Sequence, residues 1–164
     1  MKNYSRSQSL ANPQNYMTCG KNPILICLLD QMKQDQELSN KFPNHTALLD
    51  ATIAALETGR ISWQNTFNFN LMSSEQWIQK MRADPEFYFH HARNSTEMRE
   101  YEYLLLDLAS QCLKRKIQLI PFLEQEDGLT FKPTKTFVTN KPTFYILSCQ
   151  NLMYENFFIS IQII

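Results

Sequence analysis

Glycine is scarce in this chain of 164 residues, with three copies at positions 20, 59 and 128. A backbone that seldom uses its most permissive residue places it where a turn or cap needs one. Net charge is absent as well, because sixteen Lys and Arg balance sixteen Asp and Glu. That neutrality argues against a general nucleic-acid binder, whose affinity comes from neutralising phosphates with a basic surface. No run of about 18 apolar residues occurs, so no membrane-spanning helix and no membrane partner are expected. The opening residues, Met1 to Ser9, lack the apolar centre of a secretory signal. Neither Cys-x-x-Cys nor His-x-x-x-His is found, which leaves a zinc site without its usual ligand pairs. No metal or cofactor is expected. The four cysteines, 19, 27, 112 and 149, have no paired spacing. They read as reduced thiols in a cytoplasmic or other reducing intracellular compartment.

What the chain does have is bulky core material, eleven Phe and seven Tyr. Its length suits one domain of about 150 residues, a size that hides roughly 70% of the unfolded surface. Residues 1–14 are rich in Ser, Asn and Gln and read as a disordered arm, followed by a single domain over 15–164.

Hydrophobic spacing and capping residues outline the elements. Asn22-Pro23 opens a helix: Asn caps an orphan amide, and Pro loses nothing at the first helical position. Ile24, Leu25, Leu28 and Met32 share one face, widened by Cys27 and Leu29. A second helix follows Asn44-His45-Thr46, carries Leu48, Leu49, Ile53 and Leu56, and ends at Gly59 in a left-handed cap. Trp63 to Asn70 reads as a loop pinned by Phe67 and Phe69. Ser73 and Gln76 have capping-box spacing ahead of a helix bearing Trp77, Ile78 and Met81, stopped at Asp84-Pro85. After a loop with His90-His91, Asn94-Ser95-Thr96-Glu97 opens the longest helix, with Leu104, Leu105, Leu108 and Cys112 on its buried side. Lys114-Arg115-Lys116 then reads as a solvated helix end matched to the dipole.

Beyond this point the period changes. Ile117 to Phe122 reads as a strand, Asp127-Gly128 as a turn and Leu129-Thr130-Phe131 as a return strand. Thr143 to Ser148 is a continuous β-branched and aromatic run, which predicts burial on both faces, and Phe157 to Ile163 is another strand. Helices first and strands last in one chain mean an α+β or layered α/β domain.

The two ends carry the most specific pattern. The first reads Cys19-Gly20-Lys21-Asn22-Pro23-Ile24-Leu25-Ile26-Cys27-Leu28-Leu29-Asp30-Gln31-Met32, and the second Tyr154-Glu155-Asn156-Phe157-Phe158-Ile159-Ser160-Ile161. Together they resemble the OTU (ovarian tumour) superfamily of cysteine deubiquitinases. That family reads roughly Asp-Gly-Asn-Cys-Leu-Phe-x-x-Leu-x-Asp-Gln-Leu at one end and Asn-His-Tyr-x-Ser at the other. The order of elements from about Tyr16 onward is similar too. The resemblance implies an α+β, OTU-like cysteine-protease fold, with a small central β-sheet packed between helices.

It also implies a site that has lost its chemistry. Enzymes of this family form a thiolate at a helix N-terminus, activated by a histidine, that attacks the carbonyl at the ubiquitin C-terminus. Here Pro23 fills the cysteine slot and Phe157 the histidine slot. Ile159 stands where a residue would orient that histidine, and Gly20 where the family has its Asp. The resemblance therefore implies a catalytically inactive, pseudo-deubiquitinase domain that binds ubiquitin, a ubiquitin-like modifier or another protein partner. Two rival expectations stand beside it. One is an active thiol hydrolase using Cys19 with His90 or His91. The other is a structural or regulatory protein that makes no contact with ubiquitin. Cys27, Cys112 and Cys149, in apolar surroundings, read as core, and His45 as a solvent-facing or capping residue.

Overall fold

A computed structural model describes residues 4–6, 23–64, 73–83, 96–121, 128–134, 136–150 and 156–163. In chain order the elements are β1 (Tyr4–Arg6), α1 (Pro23–Met32), α2 (Gln36–Lys41), α3 (His45–Glu57), α4 (Ser74–Ala83), α5 (Thr96–Leu113), β2 (Ile117–Pro121), β3 (Leu129–Phe131), β4 (Phe144–Gln150) and β5 (Asn156–Ile163). The domain is mixed α+β. Its sheet has the order β1-β5-β4-β2-β3. β2 and β4 run parallel, with Ile117 opposite Phe144, and the other neighbours are antiparallel. The three long strands expected from the sequence thus lie in one sheet. Helix α1 packs against β4 and β5, and α5 against β3 and α3.

Local chemistry explains most boundaries. Asn44 accepts from the Ala47 amide at 2.8 Å and starts α3. Ser73 and Gln76 form the expected reciprocal box. The Ser73 amide donates to Gln76 Oε1 at 2.9 Å, and the Gln76 amide donates to Ser73 Oγ at 3.2 Å. Helix α3 closes through Gly59, whose φ of 75° lets the Arg60 amide reach back to the Ala55 carbonyl at 3.0 Å. Helix α5 closes in the same way through Lys114, at φ 54°, with the Arg115 amide on the Ser110 carbonyl at 3.2 Å. A side chain in that left-handed position is uncommon and costs conformational energy. The Arg115 side chain, which binds the carbonyls of Leu113 and Lys114, offsets the cost.

Several expectations need correction. Tyr4–Arg6, read as part of a disordered arm, forms β1 against Ile161–Ile163 of β5, where it covers backbone groups that an edge strand would leave open. The short helix α2 is additional to the expected elements: its start depends on Asp35, whose Oδ1 accepts from the Leu38 amide at 3.3 Å. β4 is not buried on both faces. Phe144 and Ile146 are fully buried, while Tyr145, Leu147 and Ser148 between and beyond them are only partly covered. The stretch therefore behaves as a strand with one core face, despite its unbroken apolar run. Helix α5, by contrast, is buried almost all round from Leu104 to Ser110, more than its predicted stripe. The loop at 65–70 with Phe67 and Phe69, and His90-His91, lie outside the described residues.

Candidate functional site

The last turn of α1 carries Asp30 and Gln31, both buried. A helix that is apolar on every side over Ile24 to Leu28 has its polar residues at the C-terminal end, so these two meet the sheet. Gln31 Nε2 donates to Ser160 Oγ and to the Ile161 carbonyl, each at 2.7 Å. Its Oε1 accepts from the Tyr145 amide at 2.9 Å. Ser160 Oγ in turn donates to Asp30 Oδ2 at 2.5 Å. One glutamine amide thus ties α1 to both β4 and β5, and the serine hydroxyl is used once as acceptor and once as donor. Buried polar groups satisfied in this way hold one register of helix on sheet.

The arrangement positions helix against sheet. Ser160 is 1% exposed, and both contacts of its hydroxyl run to the last turn of α1. Of the slots read from the sequence, Pro23 is the first residue of α1. Phe157 lies on β5 opposite Cys149 of β4, and Ile159 opposite Leu147. Ile159 is partly buried. The side chains of Pro23, Phe157 and Cys149, and all of Gly20 and Cys19, lie outside the described residues. Among the described residues, no group of three or more His, Cys, Asp or Glu could hold a metal ion. Cys27 is fully buried. Cys112 is only partly buried, and burial still pushes its thiol pKa up, against weaker opposing effects from a Thr52 hydrogen bond, Lys41 and Arg60. A thiol held protonated is a poor nucleophile.

Two further groupings were not legible in the sequence. Arg115, expected on a solvated helix end, is 6% exposed. Its Nε and Nη2 donate to Asp35 Oδ2 at 3.0 and 2.6 Å. Its Nη1 donates to the Leu113 and Lys114 carbonyls at 3.2 and 2.9 Å. The guanidinium therefore caps α5 and pins the α1–α2 corner with one side chain, which accounts for the left-handed turn at Lys114. Burial alone would raise the Asp35 carboxyl, but the Arg115 hydrogen bonds and charge, with the Leu38 amide, hold it below its ordinary value of 3.8. Asp107 is the converse. It is buried, accepts from the Gln64 amide at 2.9 Å and from Gln64 Nε2 at 3.0 Å, and is pushed up by that burial because the offsetting donors are neutral amides.

The second grouping is a cavity of about 450 Å³ between α1, α2 and the start of α3. Ile26, Leu29, Met32, Phe42 and Pro43 form its apolar wall, and Asp30, Lys33, Ser39, Asn44 and His45 its polar positions.

No family model matches this chain, and neither a characterised protein nor a solved structure matches it.

Proposed function

We propose that this chain is a catalytically inert, OTU-like domain that acts by binding ubiquitin, a ubiquitin-like modifier or a ubiquitinated protein. The observation that supports this reading is the contact between its two motif-bearing ends. Asp30 and Gln31 occupy the Asp-Gln positions of the N-terminal pattern, and Ser160 the serine of the C-terminal one. These three residues hydrogen-bond to each other across about 130 positions of chain. The family pattern is kept where it brings helix and strand together, and replaced where it would supply thiol and base. A surface able to take a modifier can outlast the nucleophile, because binding and bond cleavage use different groups.

A ubiquitin probe carrying a C-terminal electrophile tests the inert half of this proposal. The expected result is no labelled cysteine. Labelling that vanishes in Cys19→Ala would overturn it in favour of an active hydrolase. Pro23→Cys alone is expected to give no useful turnover, since Phe157 offers no proton acceptor and general-base help is worth about a hundredfold to ten-thousandfold. The pair Pro23→Cys with Phe157→His is the stricter version. Titration of the labelled domain with ubiquitin and with ubiquitin-like modifiers tests the binding half. Amide shifts that saturate support it, and the absence of any response to all of them leaves a purely structural or regulatory protein.

A further inference from the structure

We infer that the cavity beside α2 receives the ammonium end of a lysine side chain from a partner protein, with Asp30 as its acceptor. This goes beyond modifier recognition and stands on the cavity alone. The Asp30 side chain is 2% exposed. Its Oδ2 faces the sheet and takes the Ser160 hydroxyl at 2.5 Å. Its Oδ1 has no hydrogen-bond partner among the described residues, an arrangement buried carboxylates rarely keep. Two other polar side chains of the wall are engaged: Ser39 Oγ donates to the Met32 carbonyl at 2.7 Å, and Asn44 caps α3.

What stands nearest Oδ1 identifies the chemistry. Lys33 Nζ lies 3.6 Å away, too far for a hydrogen bond, with a side chain 61% exposed. The site already attracts an ammonium and holds it loosely, so an incoming one that makes the bond can displace Lys33 into solvent. Only one oxygen, itself buried, lacks a hydrogen bond, which suits a point charge better than the two-pronged guanidinium of arginine. The apolar wall of Ile26, Leu29 and Phe42 matches a hydrocarbon stem. A cavity of about 450 Å³ falls in the range of about 300–1,000 Å³ that takes ligands larger than one side chain. Room for flanking backbone favours a lysine carried on a polypeptide.

Amide-shift titration of the isotope-labelled full chain with Nα-acetyl-lysine methylamide reads this directly. The expected result is saturable movement of the Leu29, Lys33 and Phe42 amides. The norleucine and arginine analogues should bind at least tenfold more weakly. Asp30→Asn keeps an acceptor for Ser160 but replaces the other oxygen with a donor, and should weaken lysine binding at least tenfold. Lys33→Ala should bind equally or more tightly. Equal binding of norleucine, or unchanged binding in Asp30→Asn, would overturn the assignment. Loss of binding in Lys33→Ala would do the same, and n-butylamine binding tenfold tighter than the lysine diamide would reassign the cavity to a free amine. Should Asp30→Asn lose its folded spectrum, the lysine-to-norleucine ratio and Lys33→Ala decide. Because no ubiquitin is present, failure here leaves the ubiquitin reading untouched.

Discussion

Asp35 and Asp107 are both buried carboxylates that accept hydrogen bonds from distant chain, yet burial wins at one and loses at the other. At Asp35 a guanidinium brings two donors and a full charge onto one oxygen, and the other oxygen caps α2. At Asp107 the donors are the amides of Gln64, whose side chain also reaches the Lys132 carbonyl at 2.8 Å, joined by the side-chain amide of Gln111. Neutral dipoles satisfy lone pairs but do not replace the hydration of a charge, whereas a buried cation does so in part. The Asp35 corner is therefore an ionic clamp between the N-terminal helices and α5. The Asp107 seam is a latch of neutral donors on an unwilling anion.

The largest expected effect comes from breaking the clamp on one side. Arg115→Ala strands Asp35 in the interior and leaves the Leu113 and Lys114 carbonyls without their cap. A loss of about 3–5 kcal/mol is expected in denaturant unfolding, a large part of the roughly 5–15 kcal/mol available to a domain. A loss under about 1 kcal/mol would mean the corner is wetter than its burial indicates. Gln64→Ala should cost less, about 1–3 kcal/mol, because it removes the side-chain donor yet leaves the position-64 amide on Asp107. If it cost as much as Arg115→Ala, the distinction between clamp and latch would fail.

Acid titration separates the two by sign. The Asp35 carboxyl is lowered on folding, so its contribution is present above the ordinary value of 3.8 and is lost as pH falls through the lower folded value. Asp35→Asn should remove that part of the acid limb. Asp107 is raised on folding, so its contribution is full below its ordinary value, also 3.8, and is lost as pH rises through the raised one. Asp107→Asn should therefore gain on the wild type between acid and neutral pH. Unfolding curves that shift the same way in both variants would contradict the assignment. The smallest effect, about 1 kcal/mol, is expected at a contact belonging to neither seam: Ser73→Ala removes half of a helix-starting box on the surface.

How far residues interact along the chain decides what could be read in advance. The starts of α1, α3 and α4, the left-handed end of α3 at Gly59 and the existence of β2, β4 and β5 were legible because each rests on groups within a few positions of each other. Ser73 finds Gln76, and Asn44 finds Ala47, whatever the rest of the chain does. The candidate site was legible only in outline. Asp30 and Gln31 stand in one end stretch and Ser160 in the other, but nothing in either stretch states that the glutamine also takes the Tyr145 amide of β4. Arg115 departs from expectation for the same reason: beside two lysines at a helix end it looks solvated, and only Asp35, 80 residues away, makes it internal.

By itself, then, the sequence determined an α+β order of elements with their caps and turns. Those are consequences of short-range sterics, hydrogen bonding and side-chain identity. Only the tertiary structure decided which buried polar groups meet, that Tyr4–Arg6 adds to the sheet, that α2 forms a cavity wall, and that one buried oxygen of Asp30 has no hydrogen-bond partner among the described residues. Each of these depends on partners brought together from far along the chain, where desolvation makes the pairing matter and local pattern carries no record of it.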